Sequence, residues 1–283
     1  MSRPPILPLS LADLAKAGRL HAAFCDLHRA DWLQAGIVRW LTLLEPHSSW
    51  PLVVLGTELP DQTTPTLAGT IVGIWAPTPM ERFDDLLERR CPGEPGRDSR
   101  PAGGYWHFIA VTTHPKHREL RLGRPLLDAA LAFVTRQPGS SARTLSPAIR
   151  AHDLALALGW HDMPVPQRMA RLLRRVTDPD GRPVLPILQL HPASGAVVEA
   201  VLWQSRRDEV RSDHVTLRFA YPLDPDVRAN NQQNYQQWLK IRQQAVQAGQ
   251  ATPLSDGLLL LSRDAIGDAD KWLFPTDLQA LDP

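Results

Sequence analysis

Cysteine is nearly missing from this chain: Cys25 and Cys91 are the two among 283 residues. They lie far apart, in no CxxC or other ligand spacing, so they set up neither a disulfide framework nor a zinc knuckle. Two lone thiols suit a reducing cytoplasm. Long apolar runs are missing as well. No stretch approaches the ~20 apolar residues that span a bilayer, and the opening Met-Ser-Arg-Pro-Pro-Ile-Leu-Pro-Leu-Ser holds no run of signal-peptide length. A soluble, cytoplasmic protein with no membrane partner is expected. Neither sign of charge is in excess, with 31 Lys plus Arg against 30 Asp plus Glu and a net charge of +1. A near-neutral balance gives no footprint for nucleic acid, so any anionic ligand has to be met by a local patch. No Gly-x-Ser-x-Gly elbow and no Walker phosphate loop occurs.

Proline is abundant, at 27 residues. The prolines cluster at Pro4, Pro5 and Pro8, at Pro77 and Pro79, at Pro92 and Pro95, at Pro164 and Pro166, and at Pro183 and Pro186. That placement punctuates elements rather than building a polyproline segment. Residues 10 to 45 read as helical, with Ser10 as N-cap and Trp32, Ile37, Trp40, Leu41 and Leu44 on one face. Residues 51–57 and 66–76 read as a strand pair, 80–90 as a short helix, and 92–104 as a loop.

Residues 105–135 carry the clearest functional pattern. Tyr105 to Thr113 is an apolar strand, His114 to Gly123 a short basic turn, and Leu126, Leu127, Ala130, Leu131 and Val134 recur at helical spacing. The first N–H groups of a helix point outward without intrahelical partners, and its dipole favours an anion there. His114 and His117 form an HxxH on a turn rather than on a helix face, so no metal is expected. Further on, 151–160 reads as a short helix closed by Gly159, 167–176 and 186–190 as strands, and Asp178-Pro179-Asp180-Gly181 as a turn. Residues 195–203 and 214–221 fit a strand or a short helix. Residues 231–249 form a helix with Tyr235, Trp238, Leu239, Ile241 and Ala245 on one stripe. No internal repeat stands out, and a weak boundary near residues 175–185 divides the chain into 1–175 and 176–283.

The stretch Val111-Thr-Thr-His-Pro-Lys-His-Arg-Glu-Leu-Arg-Leu-Gly-Arg-Pro-Leu-Leu127 resembles the acyl-CoA signature of the GNAT acyltransferase superfamily. There a strand runs into an Arg/Gln-x-x-Gly-x-Gly/Ala turn whose amides hold the CoA pyrophosphate. Arg118, Leu122 and Gly123 match, while Arg121 stands where the family has its first glycine, which lets backbone approach the phosphates closely. The resemblance implies an α/β (α+β) fold with a GNAT-like mixed, mostly antiparallel central sheet flanked by helices, and a C-terminal extension. Residues 1–175 would be the acyl-CoA-binding core, and 176–283 would pack on it and complete the active site. It also implies a coenzyme A thioester (acetyl-CoA or malonyl-CoA) as co-substrate, no metal, and a binding set of Ala110, Val111, Thr112, Arg118, Glu119, Leu120, Arg121, Leu122, Gly123 and Arg124.

Two further stretches are similar to the GNAT-like loading and decarboxylase domains of modular polyketide synthases (curacin type). These are Arg143-Thr144-Leu145-Ser146-Pro147, and His191-Pro-Ala-Ser-Gly195-Ala196 followed by Arg206-Arg207-Asp208. The resemblance implies catalytic roles for Thr144, His191 and Arg206, with an acyl carrier protein as acceptor. Decarboxylating a malonyl thioester creates an enolate, which calls for donors at the thioester oxygen and a group that holds the carboxylate or protonates the carbanion. A hydroxyl, an imidazole and a guanidinium suit that work. Two other readings stay open: an N-acetyltransferase acting on a small-molecule or protein amine, for which residues 105–113 offer no carboxylate base, and an inactive acyl-CoA-binding or assembly partner.

Overall fold

The computed structural model describes residues 6–9, 11–16, 18–31, 53–58, 67–76, 104–136, 141–148, 150–204 and 212–281. The chain forms two compact units, Met1–Arg143 and Thr144–Pro283. Among the readings above, the Trp32–Leu44 helix face, the helix at 80–90, nearly all of the 92–104 loop, Cys91 and Arg206 lie outside the described residues.

In the first unit, β1 (Ile6–Leu9), β2 (Val53–Glu58), β3 (Leu67–Ala76) and β4 (Tyr105–Thr113) stand in that order, each antiparallel to the next. The helices α1 (Leu11–Lys16) and α2 (Arg19–Asp31) fall within the stretch read as helical. β3 and β4 are in register from Gly69 opposite Thr113 to Val72 opposite Ala110, and then shift, so that Gly73 faces Phe108. Ile109 is thus an extra residue, a bulge that bends β4 and breaks the ladder. A 3-10 turn (Pro115–Leu120) follows, and then α3 (Gly123–Thr135). The residues α3 buries are the five whose spacing foretold it, Leu126, Leu127, Ala130, Leu131 and Val134. A fully buried aliphatic side chain contributes roughly 1.5–3 kcal/mol, so this stripe fixes the helix against the sheet. On α2, Phe24, Leu27 and His28 are buried. His28 Nε2 meets Thr70 Oγ1 of β3 at 3.0 Å.

The strand β5 (Ser141–Pro147) carries the chain into the second unit. There come α4 (Ala151–Ala157), α5 (Val165–Arg174), β6 (Val176–Thr177), α6 (Pro186–Leu190), a 3-10 turn at Pro192–Ser194, β7 (Val197–Leu202), β8 (Thr216–Tyr221) and α7 (Pro225–Gln247). β9 (Ala251–Pro253), β10 (Leu259–Leu261), α8 (Arg263–Ile266) and α9 (Thr276–Ala280) complete it. The strand order is β5-β8-β7, with β8 antiparallel to β7, and a small antiparallel sheet runs β6-β10-β9.

Two expected strands are helices. Residues 167–176 lie largely in α5 and 186–190 form α6, because Pro166 and Pro186 sit in the first turn of each, where a fixed φ suits the helix and no N–H is needed. Along α5 the buried residues Arg168, Met169, Leu172 and Leu173 follow a helical stripe. Short apolar runs do not distinguish a strand from a buried helix by periodicity alone. The stretches read as strand or helix, 195–203 and 214–221, hold β7 and β8.

α7 opens on Asp224, whose carboxylate accepts from the N–H groups of Asp226 and Val227, with Pro225 next. Its buried stripe is Tyr235, Trp238, Arg242 and Ala245, so an arginine takes a core place beside the expected aromatics, while Leu239 and Ile241 are half-buried. Arg242 donates from Nε to Gly181 O (3.1 Å), from one terminal nitrogen to Val176 O (2.8 Å) and from the other to Arg174 O, and it stacks over Trp238. Burial pulls this guanidinium down to about 10, with Asp270 acting in the opposite sense, so it stays charged at neutral pH. Asp270 is itself held by Arg174 Nε at 2.6 Å and Trp238 Nε1 at 2.9 Å. A buried charge is tolerated when its donors are satisfied in this way.

Candidate active site

The proposed CoA-binding residues fall on one continuous stretch of the first unit. Ala110, Val111 and Thr112 lie on β4 directly after the bulge, Arg118, Glu119 and Leu120 on the 3-10 turn, Arg121 and Leu122 on the link, and Gly123 and Arg124 at the start of α3. The turn is anchored by His114 N–H, which donates to Ala68 O at 2.8 Å. Among the described residues no side chain caps α3, and no acidic residue stands in its first turn. The leading amides are therefore left for an outside acceptor. Pro125, three residues into the helix, supplies no N–H, which leaves Leu122, Gly123 and Arg124 as the donors. Arg121 has φ 47. The residue at the family's glycine position thus takes the left-handed backbone that glycine adopts without cost, and its side chain is exposed. The chain keeps the shape of the glycine turn while adding a guanidinium. A phosphate-bearing group fits this donor set.

The second unit builds a buried polar chain around His191. α6 ends on His191, and the residues after it turn sharply: Ser194 N–H and Ala196 N–H both donate to His191 O, at 3.0 and 3.2 Å. Gly195 makes the turn possible. Its φ is +85, a Cβ there would lie 2.4 Å from Arg228 Cγ and 2.6 Å from Arg228 O, and its own carbonyl accepts from Asn231 Nδ2 at 3.1 Å. The His-x-x-x-Gly-Ala spacing is thus the signature of a turn wedged against α7.

That turn delivers the imidazole to two strands. His191 Nε2 lies 2.8 Å from Ser146 Oγ of β5, and Nδ1 hydrogen-bonds the Tyr221 hydroxyl of β8. Phe219, two residues before Tyr221 and on the same strand face, covers the ring at 4.5 Å between centroids. His191 and Tyr221 are buried, while Ser146 is half-buried and forms the outer end of the chain. Burial drives His191 down to about 3, so the imidazole is neutral across the physiological range. A neutral ring donates at one nitrogen and accepts at the other, and a phenol does either. When the Tyr221 O–H donates to Nδ1, Nε2–H donates to Ser146, and the serine hydrogen is turned outward as a donor. In the opposite tautomer Nε2 accepts from Ser146, and the serine oxygen is activated instead.

Thr144 is buried two residues before Ser146, on the same face of β5. The hydroxyl that meets His191 is that of Ser146. Ser146 and Tyr221 were not singled out from sequence. The first stood in view inside the Thr-x-Ser-Pro segment, whereas the second carried no local signal. Among the described residues no group of three His, Cys, Asp or Glu side chains is placed to hold a metal.

Neither a protein-family profile nor a curated protein matches the sequence. Among solved structures, the chain is similar to the malonyl-CoA decarboxylase of Cupriavidus metallidurans, with a TM-score of 0.57 and 16% identity over 82% of this chain and 64% of that one. It is similar to the loading GNATL domain of CurA from Lyngbya majuscula, with a TM-score of 0.54 and 18% identity over 78% of this chain and 98% of that one. The GphF GNAT-like decarboxylase in complex with isobutyryl-CoA gives a TM-score of 0.54 and 18% identity, over 77% and 99%. At these identities the likeness is one of fold. The chain has the GNAT-like fold, mixed α/β with a mostly antiparallel central sheet flanked by helices, as its strand–turn–helix motif implied. It spans 64% of the length of that malonyl-CoA decarboxylase.

Proposed function

We propose that this chain is an acyl-CoA-dependent acyltransferase that acts on the thioester itself, decarboxylating malonyl-CoA and passing the resulting acetyl group to a carrier-protein thiol. The observation that carries the reading is the 2.8 Å contact of Ser146 Oγ with an imidazole kept neutral by burial and fixed from behind by Tyr221. Loss of CO2 breaks the bond between the methylene carbon and the carboxylate, its electron pair enters the thioester enolate, and a proton from solvent then adds to that carbon to give the acetyl thioester. A serine hydroxyl turned outward by the Tyr221–His191 chain donates to that enolate oxygen, where charge develops. A neutral relay suits this step, because an imidazolium would pair with the malonyl carboxylate and hold it back. Thr144 adds a second hydroxyl to the same strand face, and Arg206 would bind the phosphate of a phosphopantetheine arm.

The β4–α3 turn supports the CoA end of the reading through the amides of Leu122, Gly123 and Arg124, with Arg121 adding charge. The similarity to decarboxylases and to a loading domain favours thioester chemistry over amine acetylation. Cytoplasmic residence fits such substrates. Mass spectrometry of the protein mixed with malonyl-CoA and a phosphopantetheinylated carrier protein tests the reading. An acetyl mass gain on the carrier, lost in His191→Ala, supports it. A free-amine acetylation product, or no turnover of malonyl-CoA at all, contradicts it.

A further inference from the structure

A second titratable cluster stands in the same unit as Ser146 and His191. His152, in the first turn of α4, directs Nδ1 at Asp213 Oδ1, 2.7 Å away. Asp213 is buried, and Arg168 of α5 grips it with two bonds of 2.9 Å, from Nε to Oδ2 and from the second terminal nitrogen to Oδ1. The other terminal nitrogen of Arg168 donates to the carbonyls of His161 and Met163, at 3.2 Å each. A carboxylate pinned on both oxygens sets the tautomer of the ring it faces: Nδ1 carries the hydrogen and Nε2 keeps its lone pair. The His152 side chain is 34% exposed, and among the described residues Nε2 makes no hydrogen bond. The other charged or titratable neighbours along the chain are Arg150 and Asp153, both exposed, and His214 beside Asp213.

The backbone here is strained. Arg150 (φ 79), Asp213 (φ 54) and His214 (φ 61) are three of the six non-glycine residues with left-handed backbone among the described residues. Such conformations cost on the order of 1–2 kcal/mol each and gather at functional sites. Ala148 N–H donates to Val215 O at 3.0 Å, tying the end of β5 to the start of β8, the two strands that supply Ser146 and Tyr221.

A buried carboxylate holding an imidazole whose outer nitrogen is open is the arrangement of a general base. The chain around Ser146 lacks one, since His191, at about 3, does not keep a proton taken from a thiol at neutral pH. We propose that His152, oriented by Asp213, is the base that takes the proton from the acceptor thiol in the transfer half of the reaction. This rests on the proposed function. The thiol hydrogen passes to His152 Nε2, the sulfur forms its bond to the acyl carbon, the bond from that carbon to the CoA sulfur breaks, and the departing CoA thiolate takes the proton back from the imidazolium. Asp213 is the positioning residue.

The test is a pair of rates measured on the full chain with malonyl-CoA, namely CO2 release and formation of acetyl-pantetheine with pantetheine as acceptor. His152→Gln is expected to lower acetyl-pantetheine formation about 100-fold at pH 7, and CO2 release by less than threefold. At pH 9, where pantetheine ionises unaided, the deficit shrinks at least tenfold. Asp213→Asn, which reverses the tautomer, reproduces the pH 7 loss. A merely structural role would lower both rates together and would not be rescued by pH. Equal transfer by wild type and His152→Gln overturns this inference alone. A wild-type protein that releases CO2 but makes no acetyl-pantetheine overturns the inference together with the transfer half of the proposed function, and one that does neither overturns the parent reading as well.

Discussion

Replacing Gly195 by alanine tests the turn that places His191. Two costs add at that position. The left-handed backbone, φ +85, penalises any Cβ by about 1–2 kcal/mol. The new atom would also sit 2.6 Å from Arg228 O, a backbone atom of α7 that does not swing aside as a side-chain end would, and such overpacking costs roughly 1–3 kcal/mol. The sum is about 2–5 kcal/mol. At roughly 2–4 °C per kcal/mol for a chain near this size, the melting temperature should fall by roughly 4–20 °C. Gly159 is the internal control. It has φ +69 with nothing within 4 Å of its would-be Cβ, so Gly159→Ala carries the conformational term alone, about 1–2 kcal/mol. Thermal unfolding of the two variants by circular dichroism makes the comparison. Equal melting temperatures would refute the wedge against α7, and with it the account of how His191 is held.

Acid should weaken the fold through two histidines. Burial lowers His28 to about 4 and His191 to about 3, against about 6.5 in an unfolded chain. The unfolded chain therefore binds more protons in that window. The stability is fully present above about pH 6.5 and is lost as pH falls toward 4 and 3, at about 1.4 kcal/mol per pH unit for each histidine. Urea unfolding at pH 7.5 and 5.5 should differ by about 3 kcal/mol, and a flat profile contradicts the two neutral buried rings. At Arg121, whose backbone is left-handed, Arg121→Gly should exceed Arg121→Ala in stability by about 1 kcal/mol. Equal denaturation midpoints count against that backbone.

The parts legible in the sequence are the local ones. The unit from Tyr105 to Val134 could be read because strand, turn and helix are neighbours in the chain and each carries its own periodicity. The Asp178–Gly181 turn and the short helix before Gly159 are local in the same way. α5 and α6 misled because their apolar runs are short, and the informative residues were Pro166 and Pro186, which start a helix as readily as they end a strand. Arg242 was invisible as a core residue because its burial depends on three carbonyls, of Arg174, Val176 and Gly181, more than 60 residues away. The same holds at the site. Thr144 and Ser146 share a strand face, and nothing local says which hydroxyl His191 meets. Tyr221 lies 30 residues beyond His191, and only the folding of β8 beside the α6 turn brings them together.

The most direct test of the central claim is the rate of CO2 release from malonyl-CoA by Ser146→Ala, with its melting temperature as control. Removing a half-buried hydroxyl leaves His191 and Tyr221 in place, so the fold should melt within a few degrees of wild type. The rate should fall on the order of 100-fold, the loss that follows removal of one donor from a developing oxyanion. Wild-type release by a normally folded Ser146→Ala protein would contradict the account.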